Sequence, residues 1–141
     1  MNDCVFCDIV SGRSASSVVY EDETALAFMD IYPVYPGHTL VIPRVHVQDL
    51  ASCPPELAGQ LFACCARIAP AVAAATEATG FNIWTANGKG AGQEVLHLHL
   101  HILPRFEGDD FGLRFPKGYP IAAPRADLEE MAAKIRREVR R

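Results

Sequence analysis

Three of the five histidines of this chain lie within five residues. The segment 97–103 alternates histidine with aliphatic residues, which predicts a β-strand with one apolar face and one polar face. On this prediction His97, His99 and His101 line the polar face. The apolar face would enter a core, and it consists of Leu98, Leu100 and Ile102. Histidine can act as a nucleophile, an acid or a metal ligand near neutral pH. A half-exposed strand without a function is the alternative, but histidine has no special strand preference.

The spacing along a strand limits what the three histidines can do together. Side chains at i and i+2 are about 6.6 Å apart and those at i and i+4 about 13 Å apart. A zinc–nitrogen bond is only about 2.1 Å long. We therefore expect the three side chains to have different roles rather than to bind one metal ion together.

Cys4 and Cys7 have the spacing of half a tetrahedral zinc site. The remaining ligands could be His38, His46 or one histidine of the segment 97–103, which would complete a Cys2His2 site. A CxxC pair without a metal is the alternative. The other three cysteines are predicted to pack in the core, and they are Cys53, Cys64 and Cys65. Two of them are adjacent in a predicted helix, where neighbouring side chains point about 100° apart and serve poorly as joint ligands.

A glycine-rich loop over residues 87–93 leads directly into the histidine segment. Such loops bring backbone N–H groups close to anions, and this one is predicted to hold a phosphate, although it could also be a simple turn. One histidine would then attack phosphorus while another donates a hydrogen bond or proton, and backbone amides would stabilise the oxygens. Asp30 follows an apolar strand near this loop. Its carboxylate could accept from ribose hydroxyls or could simply begin a turn.

The surrounding pattern predicts an α+β fold with an antiparallel sheet. The first two strands should form a hairpin. The strands are predicted at 18–21, 24–30, 38–43, 81–86 and 97–103. A long helix should begin at Pro54, with Ser52 or Cys53 as its cap, and end at Gly80, with a kink or break at Pro70. Residues 105–124 are predicted to be mostly loop, and an amphipathic helix should follow a capping box at 127–130.

Composition narrows the class of protein. A chain of 141 residues with 50% apolar and 21% charged residues is expected to be one soluble globular domain. A net charge of −4 argues against a nucleic-acid partner, since phosphate binding needs clustered Lys and Arg. We see no apolar run of about 18 residues and no secretory leader, so we expect no membrane partner and a cytoplasmic location. Five cysteines are then expected to be reduced or metal-bound.

These motifs resemble the histidine triad (HIT) family, whose signature HφHφHφφ, with φ apolar, matches residues 97–103. Further landmarks of the family follow in order. They lie at 4–9, 19–22, 27–31, 36–46 and 92–97. The resemblance covers a core at about 4–106, and residues 107–141 would extend the same single domain. The chain is most similar to the bacterial Hint-like nucleotide-binding branch, which includes members with a zinc site.

The resemblance implies a five-stranded antiparallel sheet with two main helices, continued across a homodimer. It implies hydrolysis of AMP- or GMP-linked substrates such as purine nucleoside phosphoramidates. His99 would be the nucleophile that becomes nucleotidylated, and His101 and His38 would serve the phosphate and leaving group. Histidine rather than glutamine at position 101 favours hydrolases over the related sugar-phosphate nucleotidyltransferases.

The resemblance also assigns the remaining site residues. Substrate contacts would come from Phe6, Phe28, Asp30, Ile31, Asn87, Gly92, Gln93 and Val95. Structural Zn²⁺ would be held by Cys4, Cys7, His46 and His97. Two positions depart from the family pattern. Glu94 stands where serine or threonine is common, and Ala86 stands where asparagine is expected, with Asn87 beside it.

Three functions compete on these residues. The first is the nucleotidyl hydrolase just described, either a phosphoramidate hydrolase or a dinucleoside polyphosphate hydrolase. The second is a nucleotide-binding or scaffold protein with little catalysis, an alternative that Glu94 keeps open because a carboxylate repels phosphate. The third is a metal-dependent hydrolase built on His97 and His99. Fold alone does not decide among them.

Overall fold

The computed structural model describes residues 3–140, which divide into two compact units. Residues up to Asp110 form the first unit and those from Phe111 onward the second. The helices of the first unit are α1 (Val5–Val10) and α2 (Pro55–Thr76), and a 3-10 turn covers Lys89–Ala91. Its strands are β1 (Val18–Glu21), β2 (Ala25–Met29), β3 (Thr39–Pro43), β4 (Gly80–Trp84) and β5 (Leu100–Arg105). The second unit contains α3 (Arg125–Glu138).

The five strands form one antiparallel sheet in the order β1-β2-β3-β5-β4. This confirms the predicted α+β class and the hairpin of the first two strands. The last strand in the sequence lies between β3 and β4. In this register His101 is opposite Leu40 on one side and Trp84 on the other.

The two faces of the sheet pack into two separate cores. Alternate residues Ala25, Ala27 and Val41 face the buried side of α2, together with the predicted set Leu98, Leu100 and Ile102. The residues between them face α1, and that second core contains Phe6, Leu26, Phe28, Leu40 and Ile42. Because side chains alternate along a strand, His101 points to the α1 side.

Helix α2 has the predicted apolar stripe, and its buried residues are Leu61, Cys64, Cys65, Ile68, Ala69 and Val72. Its ends differ from the prediction. Pro54 occupies the cap position without a side-chain hydrogen bond, and Glu77 ends the helix in the left-handed conformation, so Gly80 is free to begin β4. Pro70 lies inside the helix without interrupting it.

By length and composition alone α2 could cross a membrane. It contains Glu56, Gln60 and Arg67, so it is not a continuous run of about 18 apolar residues. Its most apolar 18-residue window has a mean hydropathy of 1.5, and 33% of that window is buried within the protein. The buried stripe packs against the sheet. These are the properties of the core helix of a folded domain, in which one stripe contacts other elements.

The histidine segment is only partly a strand, which corrects the prediction for 97–103. β5 begins at Leu100, and the Leu98 N–H donates to Val47 O at 2.7 Å instead of joining the ladder. The reason lies in the neighbouring strand, because β3 ends at Pro43, which has no N–H to donate. His97 and His99 therefore lie in the segment that enters the strand, and both are buried rather than on an open polar face.

Within the second unit, α3 contains the residues of the predicted amphipathic helix but begins earlier, at Arg125. Pro124 occupies its cap position and no side chain caps it. The predicted capping box at 127–130 is therefore wrong, because those residues already lie inside the helix.

Candidate active site and metal-binding cluster

His99 lies in a cavity of about 460 Å³, hereafter the His99 cavity. Its Nδ1 is 2.8 Å from the carbonyl oxygen of His97. A carbonyl only accepts, so Nδ1 carries the proton, and in the neutral ring Nε2 has the free lone pair. The Phe6 ring makes a T-shaped contact with the His99 ring, with centroids 5.1 Å apart, which helps to fix the orientation of the imidazole. In this tautomer His99 Nε2 is an unprotonated nitrogen that can act as a base or a nucleophile.

His38 and His101 form a hydrogen-bonded pair beside this cavity. The Val34 N–H donates to His38 Nδ1 at 3.2 Å, so the neutral His38 ring carries its proton on Nε2. That Nε2 lies 2.9 Å from His101 Nδ1 and 3.6 Å from Asp30 Oδ2. The neutral His101 ring then carries its proton on Nε2 and can donate it.

Both rings of the pair are disfavoured as cations. Burial lowers the pKa of His38, with Asp30 opposing part of that shift. Burial lowers the pKa of His101 to about 3, and the neighbouring His99 and His38 add to the effect. The indole of Trp84 stacks on the His101 ring with centroids 4.4 Å apart and planes 3° apart. Both rings therefore remain neutral hydrogen-bonding groups at pH 7.

The His99 cavity brings together many of the predicted substrate contacts. The predicted residues that line it are Phe6, Phe28, Asp30, Ile31, Val95, His99 and His101. Other lining residues were not predicted as substrate contacts, and they include Val5, Ile9, Met29, Tyr32 and Leu40. Ile31 and Tyr32 are exposed at its rim. Asp30 Oδ1 accepts a hydrogen bond from the Tyr32 N–H at 2.8 Å, which fixes the backbone at the rim.

The glycine-rich loop does not line this cavity. Gln93 Oε1 accepts from the Gly88 N–H at 2.8 Å, and Gln93 N donates to Gly88 O at 3.2 Å. Asn87 Oδ1 accepts from the Leu50 N–H at 2.7 Å. The backbone N–H groups of Ala91 and Gly92 are also bonded within the loop. The loop thus uses several of its own donors to hold its shape, and Asn87, Gly92 and Gln93 do not line the His99 cavity.

Glu94, directly after this loop, lines the His99 cavity and a second cavity of about 520 Å³. We call the second one the Asp3 cavity. Glu94 is exposed, and within residues 3–140 its carboxylate has no hydrogen-bond or ion-pair partner. A free carboxylate therefore stands where the two cavities meet.

Cys4, Cys7, His46 and His97 form a cluster whose ligand atoms all lie within 4.8 Å of one another. Cys4 Sγ and Cys7 Sγ are 3.5 Å and 3.6 Å from His97 Nδ1, and Cys7 Sγ is 3.3 Å from His46 Nδ1. Sulfur and nitrogen bound to one tetrahedral zinc would be about 3.5 Å apart, given the usual bond lengths. The donor set and its dimensions fit that ion.

The protonation state of His97 also suits a metal ligand. Its Nε2 donates to Pro43 O at 2.9 Å, which leaves the Nδ1 lone pair directed at the two sulfurs. Burial lowers the pKa of His97, so the ring stays in the neutral form that binds metals. His99 is not in this cluster. The arrangement gives no support to a hydrolytic metal shared by His97 and His99.

A comparison of the sequence with models of protein families gives a match to the HIT domain over residues 11–108. The chain belongs to the HIT family. The Protein hit of Bacillus subtilis is 47% identical over 111 residues, which cover 78% of this HIT protein and 77% of that one. The adenylylsulfatase HINT3 of Arabidopsis thaliana is 40% identical over 108 residues, covering 77% of this chain and 55% of the plant protein.

Solved structures show the same fold. A Streptococcus mutans protein has a TM-score of 0.91 and 45% identity, covering 99% of this HIT protein and 87% of that chain. A zinc-bound histidine triad protein of Mycobacterium smegmatis has a TM-score of 0.75 and 39% identity, covering 97% and 98% of the two chains. The family generally comprises nucleotide-binding hydrolases, so family membership supports that broad class here.

Proposed function

We propose that this HIT protein is a nucleotidyl hydrolase that cleaves AMP- or GMP-linked substrates, such as purine nucleoside phosphoramidates, through a covalent intermediate on His99. The observation that carries the proposal is the hydrogen bond from His99 Nδ1 to His97 O, which leaves Nε2 as the free nucleophile in the His99 cavity. The adenylylsulfatase named among its relatives belongs to the same broad class of reaction.

The cavity suggests how a nucleotide is held. Phe6, Phe28 and Ile31 provide apolar walls for a purine base, and Val95 lies on the same cavity. The Asp30 carboxylate can accept from ribose hydroxyls through Oδ2, since Oδ1 already accepts from Tyr32. Asn87, Gly92 and Gln93 would act indirectly, by holding the loop that leads to Glu94 and Val95.

The chemistry takes two steps. His99 Nε2 forms a bond to the α-phosphorus as the bond from phosphorus to the leaving nitrogen breaks, and the leaving amine takes up one proton. His101, oriented by His38, donates a hydrogen bond toward the phosphate or leaving group through Nε2–H. Water then attacks phosphorus, breaks the bond to His99, releases the mononucleotide and returns one proton. No step requires a metal.

Cys4, Cys7, His46 and His97 would hold Zn²⁺ as a structural ion. A bound zinc would supply a cross-link between α1 and the segment that contains His99. This support is mechanical, because His97 sits two residues before the nucleophile and its ring faces the cysteines. The supporting observations are the dimensions of the cluster and the zinc-bound relative.

Two further expectations belong to this proposal. The protein would act as a homodimer whose sheet continues across the subunits, as the family resemblance implies. It would work in the cytoplasm on a purine nucleotide substrate, with neither nucleic acid nor membrane as a partner. Sedimentation analysis of the purified chain tests the first of these, with a monomer at micromolar concentration as the contradicting result.

The experiment that tests the function uses adenosine 5′-phosphoramidate and the His99→Ala variant. The wild-type protein should release AMP and, when quenched with acid during turnover, carry an adduct with the mass of one adenylyl group. The variant should lose at least about a thousandfold in kcat and show no adduct, since the nucleophile is gone. Added imidazole should partly restore turnover to His99→Gly, which controls for misfolding. Full turnover by His99→Ala would refute the proposal, and AMP binding without any wild-type turnover would favour a nucleotide-binding role.

A further inference from the structure

Glu94 is the one acidic side chain shared by the His99 cavity and the Asp3 cavity. Val5 and Val95 are the other residues common to both. A group that leaves phosphorus at His99 and extends beyond the nucleotide can follow this shared wall. A leaving group that extends from His99 into the Asp3 cavity would therefore pass Glu94.

Within the part of the chain that the structure describes, the carboxylates that line the two cavities are not balanced by any lining lysine or arginine. Asp30 and Glu94 line the His99 cavity, and Asp3 and Glu94 line the Asp3 cavity. Among residues 3–140, no lysine or arginine lines either cavity. The Glu94 carboxylate is not neutralised by a partner in the same residues. Its charge is thus available to whatever enters.

We propose that Glu94 selects the leaving group by charge, favouring amines that carry a second, cationic group and disfavouring anionic leaving groups such as nucleoside polyphosphates. This inference rests on the proposed nucleotidyl hydrolase function and deepens it. A cation near the carboxylate is attracted and an anion is repelled in both ground and transition states, at a strength that solvent exposure keeps modest. A neutral serine or threonine at this position would not discriminate in this way.

The test compares three adenosine 5′-phosphoramidates with the same phosphorus–nitrogen bond and a four-carbon chain on nitrogen. The chains end in an ammonium, a methyl group or a carboxylate. For the wild-type protein we expect kcat/KM to be about threefold higher for the ammonium substrate than for the methyl one, and lowest for the carboxylate. The ratio should shrink as salt is raised, because the charges are exposed.

Variants distinguish an effect of Glu94 itself from an effect of the protein's net charge. Glu94→Gln should bring the ammonium-to-methyl ratio close to one, Glu94→Ser should do the same, and Glu94→Lys should reverse the order of the ammonium and carboxylate substrates. Glu23→Gln removes the same charge from an exposed residue that lines neither cavity, and it should keep the wild-type ratio.

The outcomes distinguish the two proposals. Equal rates on all three substrates, or a ratio unchanged in Glu94→Gln, would overturn the role of Glu94 and leave the hydrolase function intact. A ratio lost equally in Glu23→Gln would also overturn it, since overall charge would then explain the preference. Failure of the wild-type protein to cleave any of the three would overturn both proposals.

Discussion

Main-chain hydrogen bonds decide the tautomers of His38, His97 and His99. The Pro43 carbonyl accepts a hydrogen bond from His97 Nε2–H, and the His97 carbonyl accepts one from His99 Nδ1–H. The Val34 N–H donates a hydrogen bond to His38 Nδ1. Neutral imidazole has two tautomers, and a fixed partner on one nitrogen decides what the other can do. One residue type can therefore serve as a metal ligand, a nucleophile and a donor within a single site.

The neutral state of His101 predicts how stability depends on pH. Its pKa of about 3 in the folded protein lies below the ordinary value of 6.5. At a pH between these two pKa values, His101 is therefore protonated in the unfolded chain and neutral in the folded protein. The free energy of unfolding should fall as pH drops from about 6.5, by roughly 1 kcal/mol per pH unit from this residue.

Urea unfolding at pH 7, 6, 5 and 4 measures this contribution, with His101→Gln for comparison. The variant should lose less stability per pH unit than the wild type, and above pH 7 the difference between the two proteins should no longer change with pH. Parallel pH dependence of the two proteins would contradict the assignment.

At the scale of elements, the alternating pattern of residues 97–103 predicted which of its side chains enter the core. Leu98, Leu100 and Ile102 lie in the core against α2 as predicted, and the stripe of α2 packs on the same face of the sheet. The pattern did not predict where β5 begins, because that depends on Pro43 in a strand more than fifty residues earlier.

The loop before the histidines shows a second limit of sequence reasoning. Glycines at 88, 90 and 92 suggested free N–H groups for a phosphate. Gln93 takes the Gly88 donor, and its own Nε2 bonds to Gln48 O at 2.7 Å and Val95 O at 3.0 Å. Hydrogen-bond partners 45 residues away are set by tertiary packing, which local composition does not reveal. Trp84 was missed for the same reason, since only the strand register puts it on His101.

Helix α1 carries a prediction of its own, because it has only six residues and depends on Cys4. Cys4 Sγ accepts from Cys7 N at 3.4 Å and contacts His97 Nδ1. An isolated helix this short is not stable in water. Cys4→Ser should reduce bound zinc from about one per chain to nearly none and lower the melting temperature by several degrees.

Metal analysis, calorimetry and turnover of adenosine 5′-phosphoramidate check this prediction. Turnover should fall less than tenfold, because the proposed chemistry uses no metal. Cys53→Ala is the matched control, since Cys53 lies in the α2 core outside the metal cluster, and its zinc content should remain at one. Zinc retained in Cys4→Ser together with lost activity would instead support a catalytic metal.

At the scale of the whole molecule, the site belongs to one of the two units. Every residue that lines the two cavities, every ligand of the metal cluster and all five strands lie before Phe111. The sequence predicts a core at about 4–106, extended by residues 107–141 within a single domain, and this organisation remains a prediction. The predicted end of the core lies close to the division after Asp110.

This division predicts the result of a truncation. A chain that ends at Asp110 should keep the Arg105–Asp109 ion pair, remain folded, bind one zinc and bind AMP within about threefold of the full chain. Circular dichroism, metal analysis and calorimetric titration with AMP measure these properties. Loss of AMP binding by a folded, zinc-loaded truncated chain would show that the second unit contributes to the site.

The stack of Trp84 on His101 has an optical consequence. Trp84 is the only tryptophan in the chain, and its indole lies face to face with an imidazole of the candidate active site. Tryptophan emission, excited selectively at wavelengths that tyrosine does not absorb, therefore comes from a single position and senses the charge and hydrogen bonding of that ring. The molecule carries an intrinsic fluorophore at the point where substrate binding and proton movement would be seen, with no label attached.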